Sequence, residues 1–291
     1  MTVIAYLFLL ALLVVFQRQL TFPGSCFPVA AARLQPPNGS TPLTLHTEDG
    51  SQIGALFCRA FEASGQPTDH PADHPTIIYF YGNGQVLNYS LFEIDLFRRC
   101  GANVLAADYV GFGLSPGTPS ERGCYQTATA LWDYAASSPN VDPSRIVAFG
   151  YSLGGAMAID LAQRRPVAGL MTLSTFTRLN DAARRRFWFV PTALLLRSNF
   201  PSVDKIRDIR CPTVIAHGDA DTIVPYRLHE GLMNASPAGY LKHLRIPGAG
   251  HNDAFPTGYV EIQQALTELL SVVNAGHDFA LARPAVAPAG K

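Results

Sequence analysis

The sequence predicts an α/β protein with a mostly parallel central sheet flanked by helices. Three observations predict this class. From residue 76 onward, short apolar segments alternate with longer segments of helical periodicity, which is the pattern of strands joined by crossover helices. The chain has 291 residues, 48% of them hydrophobic, which is enough for the core of one such domain. A glycine-rich turn at 150–154 also stands between an apolar segment and an alanine-rich helical segment.

The composition argues against several classes of partner. The chain carries no formal net charge at pH 7, so it offers no basic excess for nucleic acid. Its five cysteines show no paired spacing, which indicates neither a zinc site nor a disulfide framework. His70 and His74 have the spacing of helical metal ligands, but a proline follows each of them, so both are predicted to lie in a loop. We expect no metal and no organic cofactor.

The N-terminus predicts a membrane anchor, residues 1–22. Residues 2–16 form an apolar run that spans about 22 Å as a helix, so crossing a hydrocarbon core of about 30 Å requires extension to Phe22. Arg18 would then lie at the interface. A cleaved signal peptide with small residues at 30–32 is one alternative, and a buried core helix is another. Two arginines after the run favour a cytoplasmic catalytic domain, but the side of the membrane stays open.

The remaining elements follow in order. Residues 23–42 are rich in Pro, Gly and Ala and predict a linker. A hairpin is predicted next, and the domain of 43–275 ends before an Ala/Pro-rich tail, 276–291, that we expect to be disordered. The predicted strands are 43–47, 52–61, 76–81, 104–107, 145–149, 169–173, 213–216 and 241–246, and the predicted helices are 86–100, 121–137, 156–163 and 261–273.

The turn at 150–154 reads Gly-Tyr-Ser-Leu-Gly. Between a strand and a helix, G-x-S-x-G is typical of a nucleophile elbow, in which the serine is lifted above the sheet on a strained turn. Flanking glycines are needed because a side chain there would collide with neighbouring backbone. The elbow interpretation makes Ser152 a nucleophile, with helix amides behind it for a developing oxyanion. The alternative is a glycine-rich turn with an incidental serine.

A serine hydroxyl needs a base, and a third group must hold that base in the right tautomer. His251 follows Gly-Ala-Gly directly after the last predicted strand, at the sheet edge where catalytic groups collect. Two aspartates, Asp219 and Asp221, follow the strand of 213–216. His251 is therefore the expected base, and either aspartate is a candidate for the orienting acid.

These motifs resemble the α/β-hydrolase fold. The sequence H-G-x-x-D-x-x-V-P at 217–225 is similar to the acid loop of that family and matches its acid to Asp221, while Asp219 would cap the following turn. The chain order Ser152, Asp221, His251 is also the order of the family. The resemblance covers residues 43–273. It implies a serine hydrolase that needs no cofactor.

The resemblance also implies an oxyanion hole made of two backbone amides. One is that of Leu153, directly after the nucleophile, and the other is most simply that of Asn83, after the strand of 76–81. The family usually has H-G-x-G in this loop, whereas this chain has Tyr81-Gly-Asn-Gly. This departure puts in doubt the orienting hydrogen bond that the histidine makes. The motif D-x-x-G-x-G-x-S beginning at Asp108 resembles a structural turn of the family, so Asp108 is assigned no chemistry.

The segment 176–210 corresponds to the short helical lid that covers the serine in this fold. Between residues 176 and 200 it has five arginines and a single acid, Asp181, together with apolar triplets at 187–189 and 194–196. A basic, aromatic lid suits acyl chains near anionic groups or an anionic bilayer surface. A purely structural interpretation is equally good, in which the apolar residues pack the lid on the core and the arginines form a solvated face.

The N-terminal apolar run followed by Phe-Gln-Arg-Gln-Leu resembles membrane-anchored hydrolases of the lysophospholipase, acyl-thioesterase and serine-aminopeptidase kinds. Because the lid lacks the carboxylates that would hold a substrate ammonium, we expect esters or thioesters of small-molecule or lipid-like acyl groups. An amide-cleaving aminopeptidase is the alternative. A non-catalytic binding protein on the same fold is an alternative of another class, and an intact triad argues against it.

Overall fold

The computed structural model describes residues 3–26, 35–237 and 241–276. Within them the strands are β1 Ser40–His46, β2 Gln52–Cys58, β3 Thr76–Phe80, β4 Asn103–Ala107, β5 Ile146–Tyr151, β6 Gly169–Leu173, β7 Thr213–Gly218 and β8 Leu241–Ile246. The helices are α1 Val3–Val15, α2 Gln17–Thr21, α3 Leu91–Arg99, α4 Glu121–Ser137, α5 Leu153–Arg164, α6 Leu179–Arg186, α7 Thr192–Leu195, α8 Ser202–Lys205, α9 Tyr226–Ala235, α10 Ala254–Thr257 and α11 Tyr259–Asn274. The predicted disordered tail lies outside the described residues beyond Gly276, as does 27–34 of the predicted linker.

The strands form one 8-stranded sheet in the order β1-β2-β4-β3-β5-β6-β7-β8. Only β2 runs antiparallel to its neighbours, and the pairs from β4 through β8 are all parallel. The predicted hairpin is β1 and β2, in register from Ser40 opposite Cys58 to His46 opposite Gln52. The expected α/β class with a mostly parallel sheet is confirmed.

The core lies on both faces of the sheet. Every residue of β3, β4 and β5 is buried, as expected of parallel strands covered by helices on both sides. On one face Phe97 of α3 contacts Tyr79 and Phe149, with ring centroids 5.0 and 4.6 Å apart. On the other face α5 packs against β5 and α4 packs against α5.

The sheet has one topological switch point, between β3 and β5. The chain moves from β3 to β4 on one side, and then returns past β3 to β5 on the other. Loops that leave two such strands diverge, which opens a crevice at the carboxyl edge of the sheet. The crevice therefore lies between the loop after β3, which holds Asn83, and the turn after β5, which holds Ser152.

The predicted membrane anchor is wrong. No helix in the described ranges is both long and apolar enough to cross a membrane. The physical reason is that α1 ends at Val15 after 13 residues, about 20 Å of helix, and Phe16 separates it from α2. After α2 the chain makes a short 3₁₀ helix at Pro23–Cys26, so the extension that a span required does not form.

The lid segment is present as short helices beside the sheet edge. It contains α6, α7 and α8, followed by a 3₁₀ turn at Ile206–Asp208. Its tip is apolar and exposed, since Trp188 and Leu194 keep 82% and 84% of their accessible surface. At its base Arg178 forms an ion pair with Asp204. The lid is thus held by an ion pair at its base, and the Trp188 and Leu194 side chains of its tip are exposed.

Candidate active site

Ser152 occupies the sharp turn between β5 and α5. Its backbone has φ 53° and ψ −116°, a conformation that non-glycine residues rarely adopt. The turn is held by hydrogen bonds from the Ser152 amide to the Leu173 carbonyl, 2.8 Å, and from Thr175 Oγ1 to the Ser152 carbonyl, 2.7 Å. A Cβ on Gly150 would overlap the Gly154 carbonyl, and one on Gly154 would overlap the Phe80 carbonyl. Glycine is therefore required on both sides of the turn.

His251 lies beside that turn, although it is 99 residues further along the chain. Its Nε2 is 2.8 Å from Ser152 Oγ, and its Nδ1 is 2.7 Å from Asp221 Oδ2. Because a carboxylate can only accept, Nδ1 carries a proton and Nε2 of the neutral ring faces the serine hydroxyl as an acceptor. The Tyr151 hydroxyl donates to the His251 carbonyl at 2.6 Å and fixes the backbone of the histidine. The three predicted residues are therefore brought together in one hydrogen-bonded series.

Asp221 is held by more than the histidine. Its Oδ1 accepts from the amides of Ile223 and Val224, at 2.8 and 2.7 Å. His217 Nε2 lies 3.3 Å from Asp221 Oδ2 and donates to the Val224 carbonyl at 2.8 Å. Burial alone would raise the pKa of Asp221, but hydrogen bonds from His217 and His251 lower it below its ordinary value. Asp221 is therefore ionised throughout the neutral range.

The other candidate acid, Asp219, has a different position. It accepts from the Gly248 amide at 2.7 Å and pairs with Arg245 at 2.9 Å. These bonds tie the β7 loop to the turn that leads into His251. Asp219 thus supports the histidine loop from outside, and it is Asp221 that contacts the imidazole.

The two amides expected to form an oxyanion hole lie on opposite sides of the crevice. The Leu153 amide begins α5, and the Asn83 amide lies in the loop after β3. Within the part of the chain that the structure describes, neither amide donates to a protein acceptor. Both residues line the cavity that contains Ser152. Two free donors in that cavity are suited to a developing negative charge.

Tyr81 stands where the family usually has histidine, and it makes its own bonds. Its hydroxyl donates to Asp108 Oδ1 at 2.7 Å, and its carbonyl accepts from the Tyr109 hydroxyl at 2.7 Å. Asp108 also accepts from the amides of Leu87 and Leu114, at 2.6 and 2.7 Å. Burial raises the pKa of Asp108. As expected for a structural turn, Asp108 organises the loops beside the crevice and does not reach Ser152.

A cavity of about 650 Å³ opens above Ser152, within the range of ligand pockets. Its lining is mostly apolar and comes from the lid, the loop after β3 and, unexpectedly, the N-terminal helices. Sequence reasoning missed this last contribution, because the N-terminal run was assigned to a bilayer. Gln17, directly after the run, was the available signal, because its polar side chain lines the cavity.

Two further polar residues of the cavity were also missed. Gln85 Oε1 accepts from the Gly82 amide at 3.0 Å, and Gln85 Nε2 is 3.3 Å from Glu93 Oε1. Glu93 is 7% exposed, and its Oε2 has no hydrogen-bond partner among the described residues. Burial raises the pKa of Glu93. Helical periodicity places Glu93 on α3 but does not reveal that this position faces the cavity.

Among the described residues no three His, Cys, Asp or Glu side chains are grouped as a metal site would require. The arrangement can transfer a proton from a serine hydroxyl to an imidazole and stabilise the resulting imidazolium with a carboxylate.

Residues 75–195 match the family model of the alpha/beta hydrolase fold. An uncharacterized protein of Mycobacterium tuberculosis is 32% identical over 237 residues, 81% of either chain. Alpha/beta hydrolase domain-containing protein 17C of Xenopus tropicalis is 30% identical over 71% of this chain and 63% of its own length. Protein aho-3 of Caenorhabditis elegans, also described as alpha/beta hydrolase domain-containing, is 31% identical over 69% of this chain and 57% of its own.

Solved structures agree in fold. The Pyrococcus furiosus esterase Pf2001 superposes with a TM-score of 0.66 at 17% identity, over 84% of this chain and 95% of that one. An acetyl xylan esterase from Paenibacillus superposes with a TM-score of 0.63 at 16% identity, over 84% of this chain and 90% of the other. The chain belongs to the α/β-hydrolase family. Fold and family together support a hydrolase.

Proposed function

We propose that this chain is a serine hydrolase that cleaves carboxylic ester or thioester bonds of acyl substrates through an acyl-enzyme intermediate. The observation that carries the proposal is the series from Ser152 Oγ to His251 Nε2, 2.8 Å, and from His251 Nδ1 to Asp221, 2.7 Å. It lies at the floor of a cavity lined mostly by apolar side chains, which suits an acyl group.

The first half of the reaction acylates the enzyme. Ser152 Oγ attacks the carbonyl carbon while its proton passes to His251 Nε2. The carbonyl oxygen becomes negative and accepts hydrogen bonds from the amides of Leu153 and Asn83. The ionised Asp221 stabilises the imidazolium. The intermediate then collapses, and His251 Nε2 returns the proton to the departing alcohol or thiol.

The second half releases the acid. Water attacks the acyl carbon of the Ser152 ester and gives a proton to His251 Nε2. The same two amides donate hydrogen bonds to the new oxyanion. The bond to Ser152 Oγ breaks, the serine oxygen regains the proton from His251, and a carboxylic acid leaves. The net reaction consumes one water, and the enzyme returns to its starting protonation state.

A substrate panel tests the proposal. Full-length wild type is assayed on p-nitrophenyl esters, acyl thioesters and aminoacyl arylamides, beside Ser152→Ala and the control Ser137→Ala, an exposed serine at the end of α4. We expect a burst of p-nitrophenol and turnover of esters and thioesters in wild type and control, and neither in Ser152→Ala. Equal ester turnover by wild type and Ser152→Ala would contradict the proposal. Failure of wild type to turn over any substrate would favour a binding protein on this fold.

A second candidate, an aminopeptidase-type amide hydrolase, is favoured by one observation. The lining of the cavity includes the carboxyl group of Glu93 on α3, and its Oε2 has no hydrogen-bond partner among the described residues. A buried carboxylate is able to bind a substrate ammonium. This candidate would be favoured if wild type turns over aminoacyl arylamides and Glu93→Gln abolishes that turnover but leaves ester hydrolysis unchanged.

A further inference from the structure

The chain that precedes the sheet packs directly on the loop that holds Asn83. Asn83 Nδ2 donates to the Thr21 carbonyl at 2.5 Å, and the Gly24 amide donates to the Asn83 carbonyl at 2.9 Å. The N-terminal segment thus binds Asn83 at two points, the side-chain amide and the backbone carbonyl. Its own amide is left free, facing the crevice that contains Ser152.

Close packing fixes this contact. Phe22 is buried against Phe112 and Phe200, with both ring centroids 6.3 Å away. A Cβ on Gly24 would lie 2.6 Å from the Asn83 carbonyl oxygen, which is too close without movement of the backbone. The segment after α2 is therefore a packed part of the domain.

The N-terminal helices also bond to the lid. Gln17 Nε2 donates to the Leu195 carbonyl at 2.7 Å, and Gln17 Oε1 accepts from the Arg197 amide at 2.7 Å. The Tyr6 hydroxyl donates to the Phe189 carbonyl at 2.8 Å. Because the nitrogen and the oxygen of the Gln17 side chain both bond to the same stretch of lid backbone, they fix the position of α2 along the lid.

The space enclosed by these contacts is the cavity above Ser152. One wall is formed by Leu13, Val14 and Leu20 of the N-terminal helices, and the facing wall includes Phe187, Val190 and Leu195 of the lid. None of these six side chains carries a polar atom. An unbranched hydrocarbon chain attached to a carbonyl at Ser152 is the chemistry that such walls accommodate.

We propose that the N-terminal segment, residues 13–24, is part of the substrate site. The helices α1 and α2 close the acyl-chain cavity against the lid, and Thr21 and Gly24 position the Asn83 amide for the oxyanion. This inference rests on the proposed function, because it assigns the place of the acyl chain in the same reaction. Each methylene buried between the walls then raises kcat/KM about fourfold, up to the length that the cavity holds.

The chain-length arm of the test uses two neighbouring leucines. Leu13 lines the cavity, whereas Leu12 is exposed and does not line it, so Leu13→Trp is compared with Leu12→Trp in the full chain. The measurement is the ratio of kcat/KM for p-nitrophenyl decanoate to that for p-nitrophenyl acetate. We expect Leu13→Trp to lower this ratio at least tenfold and Leu12→Trp to leave it at the wild-type value. Equal ratios in all three proteins would overturn the assignment of the wall.

The positioning arm perturbs the contact with Asn83 from each side. Asn83→Ala keeps the amide but loses the bond to Thr21, and Gly24→Ala pushes on the Asn83 carbonyl. We expect kcat for every ester to fall about tenfold or more in both, with KM within about twofold, because the amide acts on the transition state. Leu12→Ala, exposed on α1 and outside residues 13–24, is the control. Unchanged kcat in both variants would overturn the positioning role.

Different results would contradict the proposed function and the role of the N-terminal segment. If ester hydrolysis requires Ser152, but Leu13→Trp leaves the chain-length ratio unchanged and Asn83→Ala and Gly24→Ala leave kcat unchanged, the inference is wrong and the proposed function stands. If Ser152→Ala hydrolyses esters as fast as wild type, the proposed function is wrong and the inference is lost with it.

Discussion

Replacing Asp221 by asparagine tests how the structure sets the tautomer of His251. In the native site Asp221 Oδ1 accepts from the half-buried amide of Ile223 and the buried amide of Val224, and Oδ2 accepts from His251 Nδ1. An asparagine has one acceptor oxygen and one NH₂ donor. If the oxygen stays with the two amides, the NH₂ faces Nδ1. A donor there requires an unprotonated Nδ1, so the ring proton moves to Nε2.

The opposite rotamer is disfavoured by the same contacts. It would leave the buried amide of Val224 without an acceptor, at about 1–3 kcal/mol, and would break the bond to the half-buried amide of Ile223. The variant therefore keeps its fold and holds His251 in the tautomer that cannot accept the Ser152 proton. Loss of the correct tautomer in a triad lowers kcat about 10⁴-fold, which is about 5 kcal/mol of transition-state stabilisation.

The assay is kcat on a short p-nitrophenyl ester near neutral pH, with thermal unfolding as a check on the fold. Asp219→Asn is the matched control, because Asp219 contacts Gly248 and Arg245 and not the imidazole. We expect its kcat to stay within about threefold of wild type. Retention of kcat within tenfold by Asp221→Asn, or an equal loss in Asp219→Asn, would refute the reasoning.

The other predictions concern stability. Burial raises the pKa of Glu93, so the folded state binds its proton more tightly than the unfolded state, and stability falls as pH rises through the folded pKa. Glu93→Gln should therefore raise Tm more at pH 8 than at pH 4, and an equal effect at both would contradict this. Hydrogen bonds lower the pKa of Asp221, so the stability that its carboxylate contributes is present above the pKa of the unfolded state and is lost as pH falls. The decrease in Tm caused by Asp221→Asn should therefore become smaller on acidification. Tyr81→Phe leaves buried Asp108 without one of its donors and should cost about 1–3 kcal/mol in denaturant unfolding; no measurable loss would exclude that role.

The strands of the sheet and the turn that holds Ser152 follow from local sequence. A short run that is apolar at every position and lies between turns predicts a strand buried on both faces, and glycines at 150 and 154 leave few conformations for the serine between them. The choice of Asp221 over Asp219 came from the resemblance of residues 217–225 to the acid loop of the family. One residue separates the two aspartates, and only the later one reaches the imidazole.

The N-terminal segment shows where such reasoning stops. An apolar helix has the same sequence whether it continues across a bilayer or ends after 13 residues beside the lid of its own protein, so composition at residues 2–16 could not distinguish the two. The deciding contacts are non-local: Gln17 with Leu195 is 178 residues apart, and Thr21 with Asn83 is 62 apart. Pairings at that separation depend on the packed fold, which a single sequence does not display.

The most direct test of the account is the site of covalent labelling by a fluorophosphonate, which reacts with an activated serine. Labelled full-length protein is digested, and the modified peptide is identified by mass spectrometry, with His251→Ala as a second sample. The account predicts one adduct, on Ser152, formed slowly or not at all without His251. A wild-type protein that stays unlabelled, or one labelled at another serine while Ser152 is unmodified, would contradict it.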